Sequence, residues 1–320
     1  MPEDSQISAS RAIQRQTGST FYVATRALPE RVRDPTHVLY ALFRIADEVV
    51  DADDATERSA AAKREELAAL RAQALGTAEP EGPVLEAFAA LRTAYDIPAA
   101  EIDAFFDAME RDLEVRRYED FDELRSYMRG SAAAVGAMMT AIMVPTGRDR
   151  AMSHARALGE AFQLTNFLRD VREDLVDLDR IYLPERTLQH HGADHGDVES
   201  LTMTDGLGAS IQTLVGRAEQ LYRHGVAGIE LLPRDCQFPV LLASVLYADY
   251  HRAIRRQQFD VLSDPPALGR WRTASLYART RVRWQFDRDP ASVFGTVSPI
   301  SMDESDDSRM SDERLSIPTP

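Results

Sequence analysis

Gln163-Leu164-Thr165-Asn166-Phe167-Leu168-Arg169-Asp170-Val171-Arg172-Glu173-Asp174 is polar at Gln163, Asn166, Asp170 and Asp174 and apolar at Leu164, Phe167, Leu168 and Val171. The polar positions fall at i, i+3, i+7 and i+11, which places them in one stripe along an α-helix. A second stretch, Tyr40-Ala41-Leu42-Phe43-Arg44-Ile45-Ala46-Asp47-Glu48-Val49-Val50-Asp51, repeats the pattern. Its stripe is Tyr40, Arg44, Asp47 and Asp51, and Leu39, Leu42, Val49 and Val50 cover the remaining faces. A helix that is apolar around most of its girth is buried. Both stripes are therefore expected to face an interior cavity rather than bulk water.

Carboxylates one helical turn apart repel each other, and removal from water adds to the cost. Something positive must compensate. Magnesium suits the pattern, because it prefers carboxylate oxygen, retains waters and completes its shell with substrate phosphates. Two facing Asp pairs would hold a diphosphate between them through metal ions, with Arg44 and Arg169 beside the phosphate oxygens. A single Asp-x-x-x-Asp pair is weak evidence, since exposed helix faces carry many such pairs. Asp103 and Asp107 have the same spacing and are assigned no role. Two pairs set in apolar sequence, each continued by Tyr or amide groups, are harder to explain as surface. A carboxylate-bridged di-iron bundle would need Glu-x-x-His on facing helices, and His37, His154, His224 and His251 offer no such pairing. His190, His191 and His195 are expected in a solvated turn. The chain has no P-loop, Rossmann glycine fingerprint or nucleophile elbow.

Outward from these stretches, apolar residues recur every three or four positions over 36–50, 58–75, 84–95, 99–116, 121–143, 150–176, 207–231 and 237–259. These segments are expected as helices, and strand signals are scarce. Turn chemistry interrupts them at 76–83, Ile97-Pro98, Pro145-Thr146-Gly147, Asp264-Pro265-Pro266 and a His-, Gly- and Asp-rich stretch, 184–204, expected as a connecting loop. With no linker in the folded part, one helical domain over 1–297 is expected. Residues 298–320 are acidic and rich in Ser, with Pro at the close, and are expected as a disordered tail without an apolar anchor.

Of the 320 residues, 44% are hydrophobic and 28% charged, the composition of a chain that buries a sizeable core. No stretch approaches the roughly 18 uninterrupted apolar residues of a membrane span. Met1-Pro2-Glu3-Asp4 is acidic, unlike the start of a signal peptide, so a cytoplasmic protein is expected. Cys236 is the sole cysteine, which excludes an intrachain disulfide and a cysteine zinc cluster. The net charge of −15 disfavours nucleic acid as a partner. Lys63 is the only lysine. Such a surface suits a high-salt, halophilic cytoplasm, where screening relieves self-repulsion, although a GC-rich genome favours Arg over Lys too.

Over roughly residues 15–285 the chain resembles the phytoene and squalene synthase family. Gly18-Ser19-Thr20-Phe21-Tyr22 with Leu28-Pro29, Arg44 through Asp51, Tyr127 through Ser131 to Val135-Gly136, and Gln163 through Asp174 into Asp179-Arg180-Ile181-Tyr182-Leu183-Pro184 carry the likeness. The resemblance implies an isoprenoid-synthase helical bundle around a central cavity. It also implies head-to-head joining of two geranylgeranyl diphosphates to phytoene through a cyclopropyl diphosphate. Magnesium, or manganese in its place, would be held by Asp47, Asp51, Asp170 and Asp174 with Asn166. Tyr40, Arg44, Gln163, Asn166 and Arg169 would contact diphosphate or metal-bound water, and Ser19, Thr20 and Phe21 would help close the site. Tyr127 and Tyr247 would face the reacting centre, and Gly130 through Ala134 would either leave room for prenyl tails or pack helices closely.

Two departures stand out. Arg172 replaces a Gly common in relatives, and a phosphate-binding Arg near the C-terminus could be Arg270 or Arg272. Squalene or dehydrosqualene formation from farnesyl diphosphate is the nearest alternative, and squalene formation, unlike the favoured reaction, needs a nicotinamide reductant. A non-catalytic relative acting in assembly would have lost metal ligands, and all four Asp are present. The lipid substrate implies peripheral contact with membrane lipid around the cavity mouth, with other enzymes of carotenoid formation as partners.

Overall fold

The computed structural model describes Ser10, residues 25–51 and residues 59–302. Helices follow one another in the order α1 (Glu30–Asp51), α2 (Ala60–Leu75), α3 (Pro83–Tyr95), α4 (Ala99–Arg111), α5 (Phe121–Met128), α6 (Ala134–Met143) and α7 (Asp149–Arg169). There follow α8 (Val171–Leu178), α9 (Glu185–His190), α10 (His195–Glu199), α11 (Asp205–Ala227), α12 (Arg234–Arg256), α13 (Arg270–Phe286) and α14 (Pro290–Val297). A π-helical turn, Arg129–Ala133, links α5 to α6. Among the described residues, β-structure is limited to one bridge between Arg117 and Ile181. The fold is all-α, as expected, and no described helix is long and apolar enough to cross a membrane.

Local chemistry sets the ends of these helices. Ser59, Asp120 and Thr204 accept hydrogen bonds from the first-turn amides of α2, α5 and α11. Gly76, with φ +76°, closes α2 in the left-handed conformation. Leu39, Leu42, Ala46, Val49 and Val50 of α1 are buried together with Phe88, Phe106, Leu164 and Leu168 in the larger of two apolar clusters. The smaller cluster joins α7, α11, α12, α13 and α14 through Leu158, Tyr222, Leu242, Leu276, Trp284 and Phe294. The helices meet closely where glycine permits it. A Cβ on Gly136 would lie 2.4 Å from the Ala155 carbonyl oxygen, and one on Gly159 would lie 2.5 Å from that of Ala132. These two glycines let α6 and the π turn sit against α7.

The structure departs from expectation in four places. The stretch 184–204 carries α9 and α10 rather than a plain loop. The helix expected to run to residue 116 ends at Arg111. The helix expected over 150–176 breaks at Asp170, whose φ of −102° and ψ of 15° end α7 and begin α8. Hydrogen bonds from Asp170 N to Asn166 O and from Asp174 N to Asp170 O, both 2.8 Å, keep the break to a kink. Lastly, α13 and α14 were not anticipated, and 298–302 extends the packed region, with Ile300 buried in the smaller cluster. The acidic stretch 303–320 lies outside the described residues.

Candidate active site

Two cavities share a wall. One is polar, about 240 Å³ in volume, and is lined by Asp47 and Asp51 of α1, Asp112, Tyr127, Arg180 and Tyr182. The other is apolar, about 250 Å³, and lies among α6, α7, α11 and α12, with Met139, Leu158, Phe162, Val240 and Tyr247 on its walls. Ser131, Val135 and Gln163 line both. A charged chamber thus opens beside an oily one.

The polar chamber is assembled from segments far apart in sequence. Asp179 adopts φ +52°, a left-handed turn that Asp tolerates better than most residues. Arg117 clamps that turn, donating to the Asp179 carboxylate at 2.9 Å. The bridge at Ile181, whose N–H donates to Arg116 O at 2.9 Å, then lays 179–183 along the segment following α4. Arg180 is thereby buried beside Asp112, donating to its backbone carbonyl at 3.2 Å, and it reaches the Asp51 carboxylate at 3.2 Å. Tyr127 donates its hydroxyl proton to Asp112 at 2.8 Å. Its ring belongs to an aromatic group with Tyr118, Tyr182 and Phe167, in which Phe167 and Tyr182 stack at 3.9 Å.

Three carboxyls of this region, Asp47, Asp112 and Asp174, hold their protons unusually tightly. Burial, then the neighbouring Asp51, pushes Asp47 up to about 7. Burial and Asp170 push Asp174 up to about 8. Burial raises Asp112 to about 6, against the pull of Arg180 and the Tyr127 hydroxyl. These groups are short of positive charge. Asp103 and Asp107, with identical spacing, are not: both accept from Arg71, at 2.8 and 2.7 Å, on a more open face.

The residues singled out in the sequence are distributed as follows. Asp47, Asp51, Tyr127 and Gln163 line the polar chamber. Asp170 and Asp174 do not. They belong to the kink and to α8, where the Arg180 charge acts on Asp174 as it does on Asp47. Arg169 is turned onto its neighbour Asp170 at 2.6 Å and lies 4.9 Å over the Tyr250 ring. Arg44 pairs with Glu48 at 3.2 Å, one turn along α1. Tyr40 is half-buried on the same helix, and Tyr247 lines the apolar cavity with its ring stacked on Phe162 at 4.7 Å. Of the small residues, Ser131 and Ala132 line the apolar cavity, while Gly130 is a packing residue whose Cβ would strike Ala104 O. Arg172 donates to Leu262 O at 3.0 Å rather than to Glu173 or Asp174. Arg272 is paired with Asp249 and Arg270 is exposed, and neither lines the two cavities. Ser19, Thr20 and Phe21 lie outside the described residues. Sequence reasoning gave no role to Asp112, Arg180 or Tyr182. Arg180 and Tyr182 stood inside a quoted motif, whereas Asp112 carried no local signal.

The donor set suits a hard divalent ion that is only partly enclosed by protein. The Oδ1 of Asn166 is buried without a hydrogen-bond partner among the described residues, and Asn166 lines neither cavity. Among the described residues no three His, Cys, Asp or Glu groups converge on one point. An ion bound by fewer protein groups than that would need water and phosphate oxygens to complete its shell, an arrangement that magnesium accepts.

The helical fold is shared with solved structures. A dehydrosqualene synthase superposes with a TM-score of 0.79 at 24% identity, covering 88% of this chain and 98% of that one. A squalene synthase from Alicyclobacillus acidocaldarius gives 0.73 at 25%, covering 80% and 95%. Residues 14–272 match the squalene/phytoene synthase family, and the chain belongs to that family. A phytoene synthase of Rhodobacter capsulatus is 33% identical over 253 residues, 77% of this chain and 72% of its own length. One from Thermus thermophilus is 32% identical over 279 residues, 86% and 92% respectively.

Proposed function

We propose that this chain is a prenyl transferase that joins two geranylgeranyl diphosphates head to head to give phytoene, releasing two diphosphates and two protons. The observation that carries the proposal is the pair of chambers meeting at Ser131, Val135 and Gln163: a polar one for a diphosphate and an apolar one for a hydrocarbon tail. The phytoene synthases among its relatives support the choice of product.

Asp47, Asp51, Asp170, Asp174 and the free Oδ1 of Asn166 would hold magnesium, with manganese as a substitute. When bound, the metal supplies charge that draws the diphosphate away from C1 of the first substrate. Arg44, Arg169 and Arg180 add fixed positive charge around that leaving group. The C2–C3 double bond of the second substrate supplies the electron pair that captures C1, and a proton is lost as the cyclopropane closes. Departure of the second diphosphate, ring opening and a second proton loss complete the central double bond, so electrons balance without a reductant. Tyr127, Tyr182 and Tyr247 offer ring faces that stabilise a carbocation by roughly 0.5–2 kcal/mol each without capturing it. At neutral pH the hydroxyls of Tyr127 and Tyr182 stay protonated, because burial and then the nearby Asp112 push them upward. They are therefore poor nucleophiles toward the cation. The apolar walls exclude water that would quench it to an alcohol.

Product analysis tests the proposal: purified protein with Mg²⁺ and geranylgeranyl or farnesyl diphosphate, with and without NADPH, at low and high salt. Phytoene from the longer substrate without NADPH is expected. Squalene or dehydrosqualene from the shorter one would overturn it, as would no product from either. A substrate and product this apolar also require peripheral contact with a membrane, which flotation with liposomes detects.

A further inference from the structure

Helix α13 carries Arg270, Arg272, Arg279, Arg281 and Arg283 and no acidic residue, in a chain whose net charge is −15. One face, Leu276, Thr280 and Trp284, is buried against the bundle. On the opposite side Trp271, Ser275, Ala278, Val282 and Phe286 fall at i, i+4, i+7, i+11 and i+15, a single stripe. Trp271 is 91% exposed, Phe286 82% and Val282 56%. Residues 271 to 286 span about 22 Å at ~1.5 Å per residue. Arginines flank the stripe on both sides. Arg272 and Arg283 have the partners Asp249 and Asp287. Arg270, Arg279 and Arg281 have no carboxylate partner among the described residues.

From this we infer that the outer face of α13 docks the protein on an anionic phospholipid surface, with Trp271, Val282 and Phe286 entering the headgroup–acyl boundary and the flanking arginines meeting lipid phosphates. A helix lying in the interface plane has this pattern: an apolar stripe with an aromatic at each end, rimmed by cations that reach outward from it. Charge favours lipid over a second copy of this chain, because a two-fold contact through this face would set arginines against arginines. The placement suits delivery of apolar molecules. α13 packs on α12, with Phe238 against Tyr277 and Trp284 and with Asp249 against Arg272. On its inner side α12 contributes Pro239, Val240, Ala243 and Tyr247 to the apolar cavity. One helix thus separates the docking face from the hydrocarbon chamber.

The inference rests on the membrane contact proposed above and names its surface. Trp271 and the buried Trp284 are the only tryptophans, so fluorescence reports on the face directly. In the full-length protein, acrylamide should quench Trp271. Vesicles of phosphatidylglycerol and phosphatidylcholine should shield it, and brominated acyl chains should then quench it, with Trp271→Phe identifying the signal. Trp271→Glu with Phe286→Glu should lower partition onto those vesicles by about tenfold or more, with helicity and turnover of detergent-dispersed substrate unchanged. Equal partition of wild type and double variant would overturn the docking face while leaving membrane contact intact. A wild type that never floats would overturn both. A Trp271 that acrylamide cannot reach in the free protein, or a dimer that the double variant dissolves, would assign the face to protein instead of lipid.

Discussion

Replacing Asp47 by Asn is expected to stabilise the metal-free protein in alkaline solution while abolishing turnover. The folded state holds the Asp47 proton to about pH 7, against an ordinary value of 3.8. Below about pH 4 the carboxyl is neutral in folded and unfolded chains alike and has no effect on stability. Between those values the folded chain binds a proton that the unfolded chain has released, so stability falls as pH rises. Above pH 7 both are ionised and the penalty is complete. Its ceiling is ~4 kcal/mol, at ~1.36 kcal/mol per tenfold change in acidity. Asp47 faces the chamber and keeps partial contact with solvent, whose screening reduces the expected effect to about 1–3 kcal/mol. Urea denaturation with EDTA at pH 8 and pH 5 measures it: Asp47→Asn should exceed wild type by that amount at pH 8, and the gap should narrow in acid. Circular dichroism should show unchanged helicity. Equal stability at pH 8, or a gap that widens in acid, would refute the electrostatic account. Wild-type turnover by the variant would remove Asp47 from the site.

Arg180→Met leaves Asp51 and Asp112 without their shared guanidinium and should cost about 3 kcal/mol at pH 8. Because Asp112 titrates near about 6, the loss should shrink by pH 5, and denaturation at the two pH values checks this. Gly159→Val places a Cβ 2.5 Å from Ala132 O and should cost about 1–3 kcal/mol through separation of α7 from the π turn, read as a lowered Tm. Ala243 of α12 lines the apolar cavity, so Ala243→Trp should shift competition between farnesyl and geranylgeranyl diphosphates toward the shorter by about tenfold in kcat/KM.

Much of the fold was legible because Asp47 and the stretch Gln163 to Arg169 sit in apolar helices, and an apolar girth has no resting place but the interior. Asp174, by contrast, belongs to α8, of which only Val171 is buried. Asp103 and Asp107 show why spacing alone is insufficient: Arg71 neutralises that pair from α2, and the pair lines neither the polar nor the apolar cavity. The kink at Asp170 had no Gly or Pro to announce it, and hydrogen bonding continues across it. Asp112 and Arg180 stand 68 positions apart and could not be paired from sequence, since their meeting depends on the left-handed Asp179 and the β-bridge at Ile181. α13 escaped notice for a different reason. With aromatics exposed on its outer face as well as Leu276 and Trp284 on its inner one, its apolar residues follow no single helical stripe.

The charges of the candidate site explain why the Asp pairs tolerate such poor surroundings. Asp47, Asp51, Asp112, Asp170 and Asp174 outnumber Arg44, Arg169 and Arg180, and each of those arginines is already turned onto a carboxylate: Glu48, Asp170 and Asp51 respectively. A bare diphosphate entering the chamber would add negative charge to a negative site. Divalent cations reverse that sign, because each offsets one carboxylate and one phosphate charge together. Protonation of Asp47 in the chamber, and of Asp174 on the neighbouring α8, would then be the resting arrangement that cations and substrate displace jointly in the proposed reaction. In the proposed site neither alone would relieve the chamber fully: cations without phosphate would rely on water to complete their shell, and phosphate without cations would be repelled. On the proposed function, metal and diphosphate should therefore bind cooperatively, with proton release from Asp47 and Asp174 near neutral pH, which calorimetric titration in buffers of different ionisation enthalpy would measure.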